Sequence, residues 1–201
     1  MMLPIAILIS LILFPSLAFA QTHAHGVDGG FMAGISHPVL GLDHLLAMVA
    51  VGIVSAQVAA RKFKHAIWSV PACFVIVMVL GGALGMIGIG LTAIELGIVL
   101  SVIILGLVIA GGGRINALIL FASVALFAVF HGFAHGQEIP ELASSGAYIA
   151  GFMIGTAGLH LIGVVIGHLS DKVPDGATLL RYSGAIVSGM GFHILLQMAG
   201  Y

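Results

Sequence analysis

Residues 115–135 read INALILFASVALFAVFHGFAH, an apolar run without lysine, arginine, aspartate or glutamate that ends on two histidines. A helix needs about 20 such residues to cross the hydrocarbon core of a bilayer. Apolar runs of similar length recur on both sides of it. Short breaks separate them at Ala60 to His65, Gly88 to Leu91, Gly111-Gly112-Gly113-Arg114, Gly136 to Glu141 and Ser170 to Gly176. The pattern predicts six transmembrane helices at about 34–57, 67–87, 91–110, 115–135, 143–167 and 178–199.

The whole chain has the same character. Of 201 residues, 61% are hydrophobic and 6% charged, and the mean hydropathy is +1.25. Six Lys/Arg and seven Asp/Glu cannot clothe a body of this size in charge, so lipid must be the solvent for most of its surface. The expected fold class is therefore all-α: a polytopic membrane helix bundle forming a single domain over 21–201. Twenty-nine glycines suit helices that pack closely without water to drive them together. The sequences Gly81-x-x-x-Gly85, Gly151-x-x-x-Gly155 and Gly163-x-x-x-Gly167 are expected to do so within one subunit. A net charge of −1 with no basic run gives nucleic acid no purchase. The single Cys73 rules out an internal disulfide or a thiolate cluster.

Residues 1–20 read as a signal peptide, an apolar run ending Ala18-Phe19-Ala20 before polar Gln21-Thr22-His23. It lacks a basic leader, and the alternative is an additional uncleaved helix. Arg61, Lys62, Lys64, Arg114, Lys172 and Arg181 all fall in or beside alternate connections. The positive-inside rule makes those connections cytoplasmic and the mature N-terminus periplasmic, as a cleaved leader also would. The expected location is a bacterial inner membrane.

An ionisable side chain inside a span is a functional hypothesis by default. The first span carries His37-Pro38-Val39-Leu40-Gly41-Leu42-Asp43-His44. On a continuous helix His37 and His44, two turns apart, share a face, and Asp43 stands beside His44. The fourth span ends with His131, His135 and Glu138 at i, i+4 and i+7, one stripe of two imidazoles and a carboxylate. Opposed chain directions bring both groups to the outer leaflet. Glu95 and His193 fall at comparable heights, and His160 lies deeper, as a further station or a packing residue. A processed N-terminus would add His23, with His25 behind it, in an arrangement able to wrap Cu(II) or Ni(II). Imidazole and carboxylate without thiolate suit nickel, cobalt, zinc or copper(II). His65 and His168 read as loop-edge residues.

His37-Pro-x-x-Gly41-x-Asp43-His44-x-x-x-Met48 resembles the signature of the HupE/UreJ family of nickel and cobalt permeases. His131-Gly-x-Ala-His135-Gly-x-Glu138 is similar to that family's second polar motif, and Gly151-Phe152-x-x-x-Thr156-x-x-Leu159-His160-x-x-Gly163 fits its fifth helix. The resemblance implies a secondary metal transporter rather than an enzyme. His37, Asp43, His44, His131, His135 and Glu138 become its transport-site candidates. The implied partners are the metal ion, as substrate, and membrane lipid, with no prosthetic group. An intramembrane zinc hydrolase and a haem carrier are the competing classes. The chain has no G-x-x-x-x-G-K-[ST] loop for a built-in ATPase of that kind.

Overall fold

The computed structural model describes residues 30–139 and 145–201, and these form seven helices: α1 (Phe31–Leu40), α2 (Leu42–Arg61), α3 (Ala66–Ile87), α4 (Ile94–Ala110), α5 (Ala117–Glu138), α6 (Ser145–Ser170) and α7 (Gly176–Met198). The expected signal peptide, His23, His25 and Glu141 lie outside the described residues. Helices α2, α3, α5, α6 and α7 are long and apolar enough to cross a membrane, while α1 and α4 are apolar but shorter.

The segment predicted as one first span is two helices. Gly41 is extended, with φ −86° and ψ 117°, so α1 stops there and α2 begins at the next residue. Pro38 has no N–H to donate within α1, and glycine three residues later offers the least resistance to leaving the helix. The break opens a fresh helix N-terminus at Asp43. Its carboxylate then accepts the His44 backbone N–H at 2.8 Å, which a continuous helix would commit to a carbonyl. Elsewhere local chemistry sets the boundaries as the sequence suggests. The Asn116 side chain accepts the Leu118 N–H at 2.8 Å and starts α5. Gly88, at φ 76°, ends α3 in the left-handed region.

Helix α2 lies at the centre, packed on α6, α4 and α3, while α1 packs on α6, α3 on α5 and α4 on α7. Glycine sits at the closest approaches. A Cβ on Gly132 of α5 would run into the Met78 carbonyl oxygen of α3. One on Gly52 of α2 would meet the His160 carbonyl oxygen of α6, and one on Gly106 of α4 would lie 2.6 Å from the Ser188 amide nitrogen of α7. The three small-x-x-x-small sequences all face neighbouring helices of the same chain. These contacts fix α5 on α3 and α6 on α2, and so help to set the positions of the histidines they carry.

Candidate metal centre

Three helices bring His37, Asp43, His44, His131, His135 and Glu138 into one cluster. His37 of α1 and His135 and Glu138 of α5 form one part of it, with Glu138 exposed and His135 buried. Glu138 Oε2 lies 3.6 Å from His37 Nε2 and 3.7 Å from His135 Nδ1. One donor atom from each of the three fits within 4.8 Å of the others, close enough for a single ion. His135 links this group to the next, since its ring centroid is 4.6 Å from that of His37 and 4.6 Å from that of His44. His44 in turn lies 4.7 Å from His131. Although Gly41 breaks the helix between them, His37 and His44 therefore flank the same imidazole.

Hydrogen bonds around two of the rings settle which nitrogen can bind. Asp43 Oδ1 is 2.9 Å from His44 Nδ1. A carboxylate only accepts, so Nδ1 carries the proton and Nε2 presents the lone pair. Ser101 of α4 gives its one hydroxyl hydrogen to the Ile98 carbonyl at 2.6 Å, so its 3.1 Å contact with His131 makes Nε2 the donor. His131 Nδ1 then holds the lone pair. Both lone-pair atoms, His44 Nε2 and His131 Nδ1, are buried and have no hydrogen-bond partner among the described residues. Both nitrogens of His135 are likewise buried and without one. Buried imidazoles normally complete their hydrogen bonds, whereas a ring held at one nitrogen with the other left open is the usual arrangement of a metal-ligating histidine.

Exposure falls along the cluster. Glu138 is 56% exposed and His37 36%, whereas His131 is 0% exposed. Beyond it, at 1%, lies His160 of α6. The Phe74 ring stands between them, 5.6 Å from His131 and 5.1 Å from His160. Both nitrogens of His160 and the Thr156 hydroxyl are buried without a partner among the described residues. Glu95 and His193 are exposed, and no ion pair, hydrogen bond or ring contact among the described residues joins them to the cluster. Met48 is buried in the core below His44.

Ser101 and Phe74 escaped the sequence reading. The one hydroxyl of α4, whose only other polar side chain is Glu95, was a signal for Ser101, although serines in spans commonly bond their own helix, as this one also does. Ser101→Ala should leave the His131 ring free to rotate and weaken metal binding by about tenfold, the usual scale for a residue that orients a ligand. Equilibrium dialysis of the purified protein checks this, and an unchanged affinity would remove Ser101 from the site.

Fold and cluster together define a polytopic helical membrane protein that gathers four imidazoles and two carboxylates in one cluster. The chain belongs to the HupE / UreJ protein family, whose model matches residues 9–194. It is 38% identical over 182 residues to Protein HupE of Rhizobium leguminosarum bv. viciae, covering 90% of this chain and 92% of that one. No solved structure matches it.

Proposed function

We propose that the protein is a secondary transporter that moves a divalent transition metal ion, nickel or cobalt first among candidates, through the histidine–carboxylate cluster. The observation that carries this reading is the set of buried imidazole lone pairs converging from α2 and α5 beside two carboxylates. Nitrogen and oxygen donors without thiolate suit Ni(II), Co(II), Zn(II) or Cu(II). The preference for nickel or cobalt comes from the family resemblance.

The ion is first met by Glu138 and His37, where exposure is greatest, and passes to the buried His135. His135 hands it to His44 and His131, since that ring touches both groups. Asp43 and Glu138 offset the positive charge where the dielectric is low. His160 is the next donor inward, past Phe74. Mixed ligands of this kind hold a dication without trapping it, as passage requires. The broken α1–α2 unit serves as one span and α3 to α7 as the other five, with residues 1–20 as the leader. The arginine- and lysine-bearing connections face the cytoplasm, the mature N-terminus faces the periplasm, and the bundle sits in the inner membrane. A zinc hydrolase gains nothing from the family relationship, and the protein is read as a carrier.

Uptake by proteoliposomes tests the proposal. Saturable accumulation of nickel or cobalt above that of empty vesicles is expected, with zinc and copper as competitors. No uptake of any of the four ions would overturn it. Uptake should also fall in acid, because an imidazole that takes a proton loses the lone pair it offers the metal. Undiminished uptake in acid that leaves the fold intact would contradict histidine ligation.

A further inference from the structure

All three arginines of the protein, Arg61, Arg114 and Arg181, line one cavity of about 230 Å³. They come from the end of α2, the α4–α5 connection and the second turn of α7, and their positions in sequence are more than fifty residues apart. The cavity lies far from the histidine–carboxylate cluster, since Arg61 follows His44 by seventeen residues along α2, about 25 Å at helical rise. A preference for cations on one side of the membrane explains the sign of these charges. It does not explain why three separate elements aim arginine, and not lysine, at the same space.

The guanidinium groups have donors to spare. Arg181 gives its Nε–H to the Ala110 carbonyl at 2.8 Å. The guanidinium groups of Arg61 and Arg114 form no hydrogen bond among the described residues, and no carboxylate there lies within ion-pair distance of any of the three. Asp171 lines the cavity without pairing to them. An adjoining recess, which shares Asp171 and Ala60, adds Lys64 and Lys172. Arginine forks match phosphate oxygens in pairs, and lysine does so only as a point charge.

The level of the cavity identifies the source of the phosphate. Trp68, the only tryptophan, is 66% exposed at the start of α3. Tyr182 is 64% exposed and adjoins Arg181. Exposed Trp and Tyr on a membrane bundle mark the headgroup layer. Basic pockets between spans at that level take anionic lipid headgroups. We propose that this arginine-lined cavity binds the phosphate of an anionic phospholipid and so ties α2, the α4–α5 connection and α7 together at the cytoplasmic surface.

Native mass spectrometry of the detergent-purified protein, titrated with phosphatidylglycerol or phosphatidylcholine, tests the assignment independently of metal transport. The wild type should retain phosphatidylglycerol in preference to phosphatidylcholine. The Arg114→Gln/Arg181→Gln variant should bind it about tenfold or more weakly, while Lys62→Gln, outside the cavity lining, should not change it. Asp171→Asn should bind more tightly, because it removes the carboxylate that repels the headgroup, and a misfolded variant could not produce that gain. Equal retention of the two lipids, or unaltered binding by the double variant, would overturn the proposal. A thermal shift with inorganic phosphate but none with phosphatidylglycerol would overturn the lipid assignment.

Discussion

His44→Ala should reduce metal uptake to the level of empty vesicles while the protein still purifies as a folded bundle. The substitution removes the Nε2 lone pair that the Asp43 hydrogen bond directs into the cluster. It also leaves the Asp43 carboxylate without its imidazole partner at the start of α2. Loss of one ligand together with its orienting contact should cost about a hundredfold or more in affinity. Asp43→Asn separates the two effects. It keeps the shape but removes the charge and offers an amide N–H that can donate to Nδ1 and move the ring proton to Nε2, so binding should fall while the His44 ring stays in place. Uptake assays combined with size-exclusion profiles check both variants, and wild-type rates in either would remove this pair from the pathway.

The second large effect concerns the fold. Gly132→Leu should destroy the α3–α5 contact, because even the first added carbon meets the backbone carbonyl of Met78 and cannot be relieved by a side-chain rotation. Separation of the two helices forfeits the close packing that holds a bundle together in lipid. The expected cost is about 3 kcal/mol or more. The control is Gly158→Leu, on α6, where no heavy atom outside the local helix lies within 4 Å. Heating followed by size-exclusion chromatography should show a large loss of the folded peak for Gly132→Leu and almost none for Gly158→Leu. Equal thermal profiles would mean that the glycine contacts do not hold the helices.

The helical architecture was legible because each apolar run must satisfy its own backbone hydrogen bonds in lipid. The residues of the cluster were legible because histidine and carboxylate are costly in such runs. Height along a helix follows from residue number, whereas neighbours around its axis depend on packing. Glu95 and His193 show the difference, since both were placed at the level of the cluster and both lie exposed outside it. The break at Gly41 was hidden for another reason. Hydropathy does not register backbone direction, and Pro38 could equally have opened a helix. What the sequence presented as a seven-residue helical spacing is achieved instead by two helices that place His37 and His44 on either side of His135. The convergence of Arg61, Arg114 and Arg181 on one cavity belongs wholly to tertiary structure, because nothing local connects three arginines on two helices and a connection.

X-ray absorption at the metal edge of purified protein loaded with nickel tests most directly whether these donors share an ion. Nitrogen and oxygen neighbours with the outer-shell scattering of several imidazoles are predicted for the wild type, with that imidazole signal reduced in His44→Ala and in His135→Ala. A spectrum of water oxygens alone, or one that neither substitution alters, would contradict a metal held between α1, α2 and α5.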